Sequence, residues 1–161
     1  SRGPFLFKQK RDGMNGNQFY CFKIRSMKIN AVSDQISASK NDTRITKIGH
    51  LLRKTSLDEL PQFFNVLIGD MSIVGPRPHM NIQTKKYISN IDNYLTRNSV
   101  KPGITGLAQV SGYRGEVKKN SDIVNRVRFD IFYIENWSFL LDIKIILLTI
   151  FNMFKVQDNA Y

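Results

Sequence analysis

The sequence predicts an α+β fold dominated by helices, a compact domain with an N-terminal β-hairpin. Three observations carry this. Two short aromatic segments near the start flank a stretch rich in glycine and asparagine. Apolar residues at helical spacing recur through the rest of the chain. Proline and glycine clusters cut those helical segments apart. At 161 residues, 42% hydrophobic and 23% charged, the chain suits one ordered domain rather than a disordered one.

The elements follow in order. Residues 5–10 and 18–25 read as the hairpin, with Phe5, Phe7, Phe19, Tyr20 and Phe22 supplying strand-forming side chains. Asp12-Gly13 and Asn15-Gly16 lie between them and suit a turn longer than two residues. Residues 30–43 are polar and irregular and read as an exposed loop. A helix is predicted over 44–54, with Ile45, Ile48, Leu51 and Leu52 on one face, and a second over 61–68, stopped by Gly69-Asp70. Gly75-Pro76-Arg77-Pro78 is a rigid turn, since neither proline fits a helix interior.

A third helix is expected over 80–97, burying Tyr87, Ile88, Ile91 and Leu95. Residues 103–115 carry four glycines and read as loop or short strand, with the glycines allowing a ligand close to the backbone. A fourth helix spans 121–136, with Ile123, Val127 and Ile131 inward. The last spans 138–156, where 13 of the 18 residues from 139 on are apolar and the polar face is thin. Such a helix is either core or half-sunk in a membrane surface, and composition alone favours core.

Charge and cysteine content narrow the function. Net charge is +11, and residues 1–54 alone carry +9, so anionic partners are expected: phosphates, nucleic acid or an anionic membrane face. Cys21 is the sole cysteine, which excludes an internal disulfide and a cysteine-based zinc site. His50 and His79 lack zinc spacing and read as surface or turn residues. No phosphate-binding loop, dinucleotide fingerprint or serine nucleophile elbow is present. The chain starts at Ser1 without a leader pattern, which suits a portion of a longer protein.

Three segments carry chemistry. In Thr55-Ser56-Leu57-Asp58-Glu59-Leu60-Pro61-Gln62, Ser56 and Glu59 have capping-box spacing, but that would put Pro61 inside the helix. Alternatively Pro61 begins the helix, and Asp58 and Glu59 stand just outside it as a metal ligand or nucleophile pair. Arg77 between two prolines is a pre-organised fork for a phosphate. In Lys101–Glu116, Gln109 and Arg114 supply polar contacts.

These segments, with Lys23-Ile24-Arg25-Ser26-Met27, Gly69–Pro78 and Tyr133-Ile134-Glu135-Asn136-Trp137-Ser138, stand in the order seen in a known family. The chain resembles the bacterial sugar transferases, the monotopic polyprenyl-phosphate phosphoglycosyl transferases. The Gly112–Glu116 stretch and the Asn159-Ala160-Tyr161 ending are similar to the branch that transfers hexose 1-phosphate. The resemblance implies an aspartyl-phosphosugar intermediate, formed from a UDP-sugar with loss of UMP and passed to polyprenyl phosphate. It implies Asp58 as nucleophile and Glu59 as catalytic partner and Mg²⁺ ligand. Arg77, Arg53, Lys23 and Arg25 become phosphate-binding residues, and Gln109 and Arg114 further substrate contacts.

The resemblance also implies amphipathic helices on a membrane surface, at the cytoplasmic face of a bacterial inner membrane. A re-entrant helix would immediately precede Gly3, outside these 161 residues. The implied partners are a UDP-sugar, undecaprenyl phosphate and the membrane surface. A homo-oligomer is left open and nucleic acid is not expected. The chain departs from the family at Thr43 and Leu107, where proline and tryptophan are usual. Two rival functions remain: a non-catalytic membrane-surface scaffold, and a nucleic-acid-binding module suggested by the charge and the 11% aromatic content.

Overall fold

The computed structural model describes residues 3–29, 38–39, 42–117 and 119–154. Most of the loop expected over 30–43, and the Asn159–Tyr161 ending, lie outside the described residues. The element order is β1 (Leu6–Asp12), β2 (Gln18–Ile24), α1 (Lys47–Thr55), α2 (Gln62–Leu67), β3 (Ser72–Val74), α3 (Asn81–Ile88), β4 (Gly103–Thr105), α4 (Asn120–Glu135) and α5 (Phe139–Phe154).

The hairpin forms as predicted. β1 and β2 pair antiparallel from Leu6 opposite Ile24 to Asp12 opposite Gln18. A single 3₁₀ turn at Met14–Gly16 joins them, with Asn15 and Gly16 at positive φ. Phe19 and Cys21 point inward from β2 onto Met71. Two further small clusters of buried residues are Val74/Tyr133/Ile145 and Tyr94/Ile123/Val127. Leu107, where the family usually has tryptophan, packs against the first of these two.

β3 and β4 form a short parallel pair, Ser72 against Gly103 and Val74 against Thr105. The glycines here serve packing rather than a ligand. A Cβ on Gly103 would run into the Gly75 nitrogen and the Thr105 carbonyl oxygen, and one on Gly106 into the Gly75 carbonyl oxygen. Backbone approaches backbone at this crossing.

The helix expected over 80–97 is two pieces. α3 ends at Ile88, where the Ser89 hydroxyl and the Asn90 amide both donate to the Lys86 carbonyl, at 3.1 and 2.9 Å. These short polar side chains capture a helix-end carbonyl. Asn93 then adopts φ 57°, and a 3₁₀ turn follows at Tyr94–Asn98. The phase change buries Tyr94 and Arg97; of the expected stripe, Tyr87 and Ile91 pack against the core while Ile88 and Leu95 are exposed. α1 also starts later than predicted, because Ile45 bridges to Met27 before the Thr46 hydroxyl caps the helix at Gly49 N.

Two helices are inside out. In α2 the buried residues are Gln62 and Asn65, while Phe63, Phe64 and Leu67 face outward. Asn65 is accommodated because it donates to the Tyr20 carbonyl at 2.8 Å and accepts from Phe22 N at 3.0 Å, tying α2 to β2. In α5 part of the thin polar face turns inward beside Leu141, Ile145 and Ile146. Thr149 meets Thr105 at 2.7 Å, Asn152 donates to the Val110 carbonyl, and Ile145, one turn before Thr149, is fully buried. Phe139, Leu140, Leu147, Ile150 and Phe151 are exposed. The core placement that composition favoured for the last helix is therefore corrected: one narrow face packs and the apolar remainder is outside. α1 likewise exposes Ile48 and Leu51, two residues predicted on its buried face.

Candidate active site

The chain reverses at Ser56, a non-glycine residue at φ 59°, ψ 14°, between the end of α1 and a 3₁₀ turn at Leu57–Glu59. No capping box forms. The Ser56 side chain makes no cap bond, and its hydroxyl instead accepts from Arg114 Nη2 at 2.7 Å. Pro61 sits immediately before α2, so the acids stand outside that helix. Both are buried, Asp58 at 6% and Glu59 at 8% exposure.

Three cations from separate parts of the chain converge on Glu59. Lys23 Nζ of β2 and Arg77 Nη2 of the proline-flanked turn donate to Oε1 at 3.0 and 2.7 Å. Arg114 Nη2 donates to Oε2 at 3.1 Å. Burial works against the charged form of Glu59, but Arg77, Lys23 and Arg114 outweigh it and hold the carboxyl well below its ordinary range. Asp58 differs. Burial pushes its pKa up, assisted by the Glu59 charge and opposed by Lys23, Arg53 and Arg77. Two adjacent carboxyls are thus driven apart in acidity by their surroundings.

These residues border one cleft of about 710 Å³, together with Arg53 and Arg25. Arg53 Nε donates to the Ser26 hydroxyl at 2.8 Å. Arg25 borders the cleft, but its guanidinium donates to the carbonyls of Gly3, Pro4 and Met27, so it also closes the chain onto β2. Gln109 is not among the lining residues. It is buried, and its Nε2 donates to the Ile104 carbonyl at 3.2 Å within its own loop.

Several contributors carried no sequence signal. Arg97 and Asp130, 33 positions apart, form a buried ion pair at 2.7 Å, and Arg97 Nη2 also donates to the Arg77 carbonyl at 2.7 Å. The turn holding Arg77 is thereby anchored from behind. His79 is not a surface residue: it is 3% exposed and borders the cleft, as do Arg11 and Arg126.

Among the described residues no group of three or more His, Cys, Asp or Glu could hold a metal ion. Magnesium, however, is commonly held by one or two carboxylates plus substrate phosphates. Glu59 accepts three hydrogen bonds, which leaves one of its four lone-pair sites, on Oε2. With Asp58 adjacent, this donor set fits a magnesium ion that arrives with a phosphorylated substrate.

The turn and its arginines concentrate positive charge around two buried carboxyls in one cleft. Residues 1–156 match the bacterial sugar transferase family, and the chain belongs to that family. It is 51% identical over its whole length to a UDP-glucose:undecaprenyl-phosphate glucose-1-phosphate transferase of Klebsiella pneumoniae, covering 35% of that protein. A protein of the same name from Xanthomonas campestris pv. campestris is 52% identical, with 100% of this chain and 34% of that protein covered. An undecaprenyl-phosphate galactose phosphotransferase of Salmonella typhimurium is 42% identical over 99% of this chain and 35% of its own length. The chain thus spans about a third of the length of these relatives.

Proposed function

We propose that the chain transfers a hexose 1-phosphate from a UDP-sugar to polyprenyl phosphate through a covalent intermediate on Asp58. The observation that carries this is a buried aspartate beside a glutamate held by three cations, in a cleft rich in arginine.

An Asp58 carboxylate oxygen attacks the β-phosphorus. The bond from that phosphorus to the bridging oxygen breaks, and UMP leaves with the electron pair. An oxygen of polyprenyl phosphate then attacks the same phosphorus and displaces the carboxylate. Lys23, Arg77 and Arg114, fixed by Glu59, offset the charge that develops on the phosphoryl oxygens. Arg53 adds to the positive field at Asp58. A magnesium ion held by Glu59 and the donor diphosphate would supply further charge neutralisation when bound.

Docking on a membrane surface suits the lipid acceptor. The outward apolar residues of α2 and α5 support it, because such faces are costly in water. Among the described residues no helix is long and apolar enough to cross a membrane. The basic first third would face anionic headgroups and substrate phosphates at the cytoplasmic face.

Intact-protein mass tests the proposal. Incubation with Mg²⁺ and a panel of UDP-sugars is expected to add one phosphosugar to the wild type and none to Asp58→Asn. An adduct of equal yield on Asp58→Asn would remove Asp58 from the chemistry.

A further inference from the structure

Two buried donors in the cleft wall take no part in the steps above. The first is His79. Its Nδ1 lies 2.6 Å from the Tyr94 hydroxyl. Thr84 and Arg97 also hydrogen-bond to that phenol; a guanidinium can only donate, whereas a threonine hydroxyl donates or accepts. Where Thr84 donates as well, the phenol hydrogen is directed at Nδ1. Burial, with the charges of Arg97, Arg126, Arg11 and Arg77 facing the ring, keeps the imidazole neutral. In that arrangement the imidazole proton sits on Nε2, a buried atom with no hydrogen-bond partner.

The second is Arg126 of α4, 7% exposed. Its Nη2 donates to the Gly115 carbonyl at 2.8 Å, while its Nε is buried and unpartnered. Burial, with repulsion from Arg77 and Arg97 added, brings its pKa down to about 10. Both residues border the same cleft as Asp58, and the Arg126 charge is felt at His79. Two unpaired N–H donors in a wall with excess positive charge call for an anionic acceptor.

We propose that His79 Nε2 and Arg126 Nε form a second phosphate subsite, distinct from the place beside Asp58 where phosphoryl transfer occurs. This rests on the function proposed above, in which two phosphates of one donor need separate places. The phosphate that stays with UMP is the expected occupant, and the acceptor lipid's phosphate shares the same chemistry.

The chain has only two histidines, His50 and His79, so imidazole ¹⁵N NMR reads the site directly. In the protein without ligand, His79 is expected as the Nε2–H tautomer. UMP should shift that resonance, and uridine, which lacks the phosphate, should not. His79→Phe and Arg126→Lys should each weaken UMP binding about tenfold and leave uridine unchanged. A shift with farnesyl phosphate and not with UMP would assign the subsite to the acceptor.

An Nδ1–H tautomer would overturn the proposal. So would a shift by uridine equal to that by UMP, or no shift with either phosphate compound. The mass assay separates the two proposals. An Asp58 adduct with an unresponsive His79 overturns the subsite alone. A responsive His79 with no adduct overturns the covalent step alone.

Discussion

Arg97 donates through Nη2 to the backbone carbonyl of Arg77 at 2.7 Å, while its Nε and Nη2 both grip Asp130 Oδ2 at 3.0 and 2.7 Å. The Arg77 backbone is thus held between two prolines and a buried ion pair, and its side chain is left to meet Glu59 at 2.7 Å. The cleft-lining Arg77 side chain is backed by two residues behind the cleft wall. Neither Arg97 nor Asp130 lines the cleft.

Removing one member of that pair leaves the other charge buried and uncompensated. Asp130→Ala is expected to cost about 3–5 kcal/mol in urea unfolding. The UDP-sugar KM should also rise in whatever folded fraction remains. A loss below about 1 kcal/mol would show that the pair does not anchor the turn.

Asp58→Asn is expected to lose adduct formation by at least about 10³-fold and yet to raise the melting temperature. The sign follows from burial. The folded-state pKa of Asp58 is raised above its ordinary 3.8, so the folded protein binds more protons than the unfolded chain within that window. Stability falls as pH climbs through it, and the ionised side chain remains a cost above. Asparagine removes that cost, and each 1 kcal/mol recovered is worth about 2–4 °C in a domain of this size. The acid limb of adduct formation should lie above the usual aspartate range. A lower melting temperature in the variant would contradict the burial argument.

Glu59 behaves oppositely. Its pKa is depressed, so its stabilisation is complete above its ordinary 4.5 and is lost as pH falls through the lower folded value. Glu59→Gln should be less stable at pH 7 by about 2–3 kcal/mol, with Lys23, Arg77 and Arg114 no longer neutralised. The gap between variant and wild type should close only well below pH 4.5. Thermal melts across pH 2–7 measure this, and a gap that does not narrow in acid would count against it.

Phe64 and Leu67 are 62% and 81% exposed, so charging them should hardly disturb the fold. Phe64→Glu with Leu67→Glu is expected to reduce sedimentation with anionic vesicles by about tenfold, with a melting temperature within about 2 °C of wild type. Unchanged sedimentation would move membrane docking to another face.

The hairpin, the breaks at proline and glycine, and α4 with its inward Ile123 and Val127 were legible in the sequence because local periodicity and turn chemistry decide them. The stripes predicted for 44–54 and for 80–97 held only in part: Ile45, Tyr87 and Ile91 lie inward, while Ile48, Leu51, Ile88 and Leu95 are exposed. The same periodicity that marks a buried face in water marks an outward face where the helix is inside out. Asn93 at positive φ also resets the phase in a way no apolar count reveals.

By itself the sequence determined the Asp58-Glu59 pair, the rigid setting of Arg77 and the basic excess, since adjacent residues and fixed proline torsions need no fold to be read. Only the tertiary structure decided that Lys23, Arg77 and Arg114 share one carboxylate and that Arg97 and Asp130 stand behind them. It also placed His79 within the cleft wall and Gln109 outside it. Charges tens of residues apart have no mutual spacing in sequence. Their pairing, and the burial that sets their protonation, exist only once the chain has closed around them.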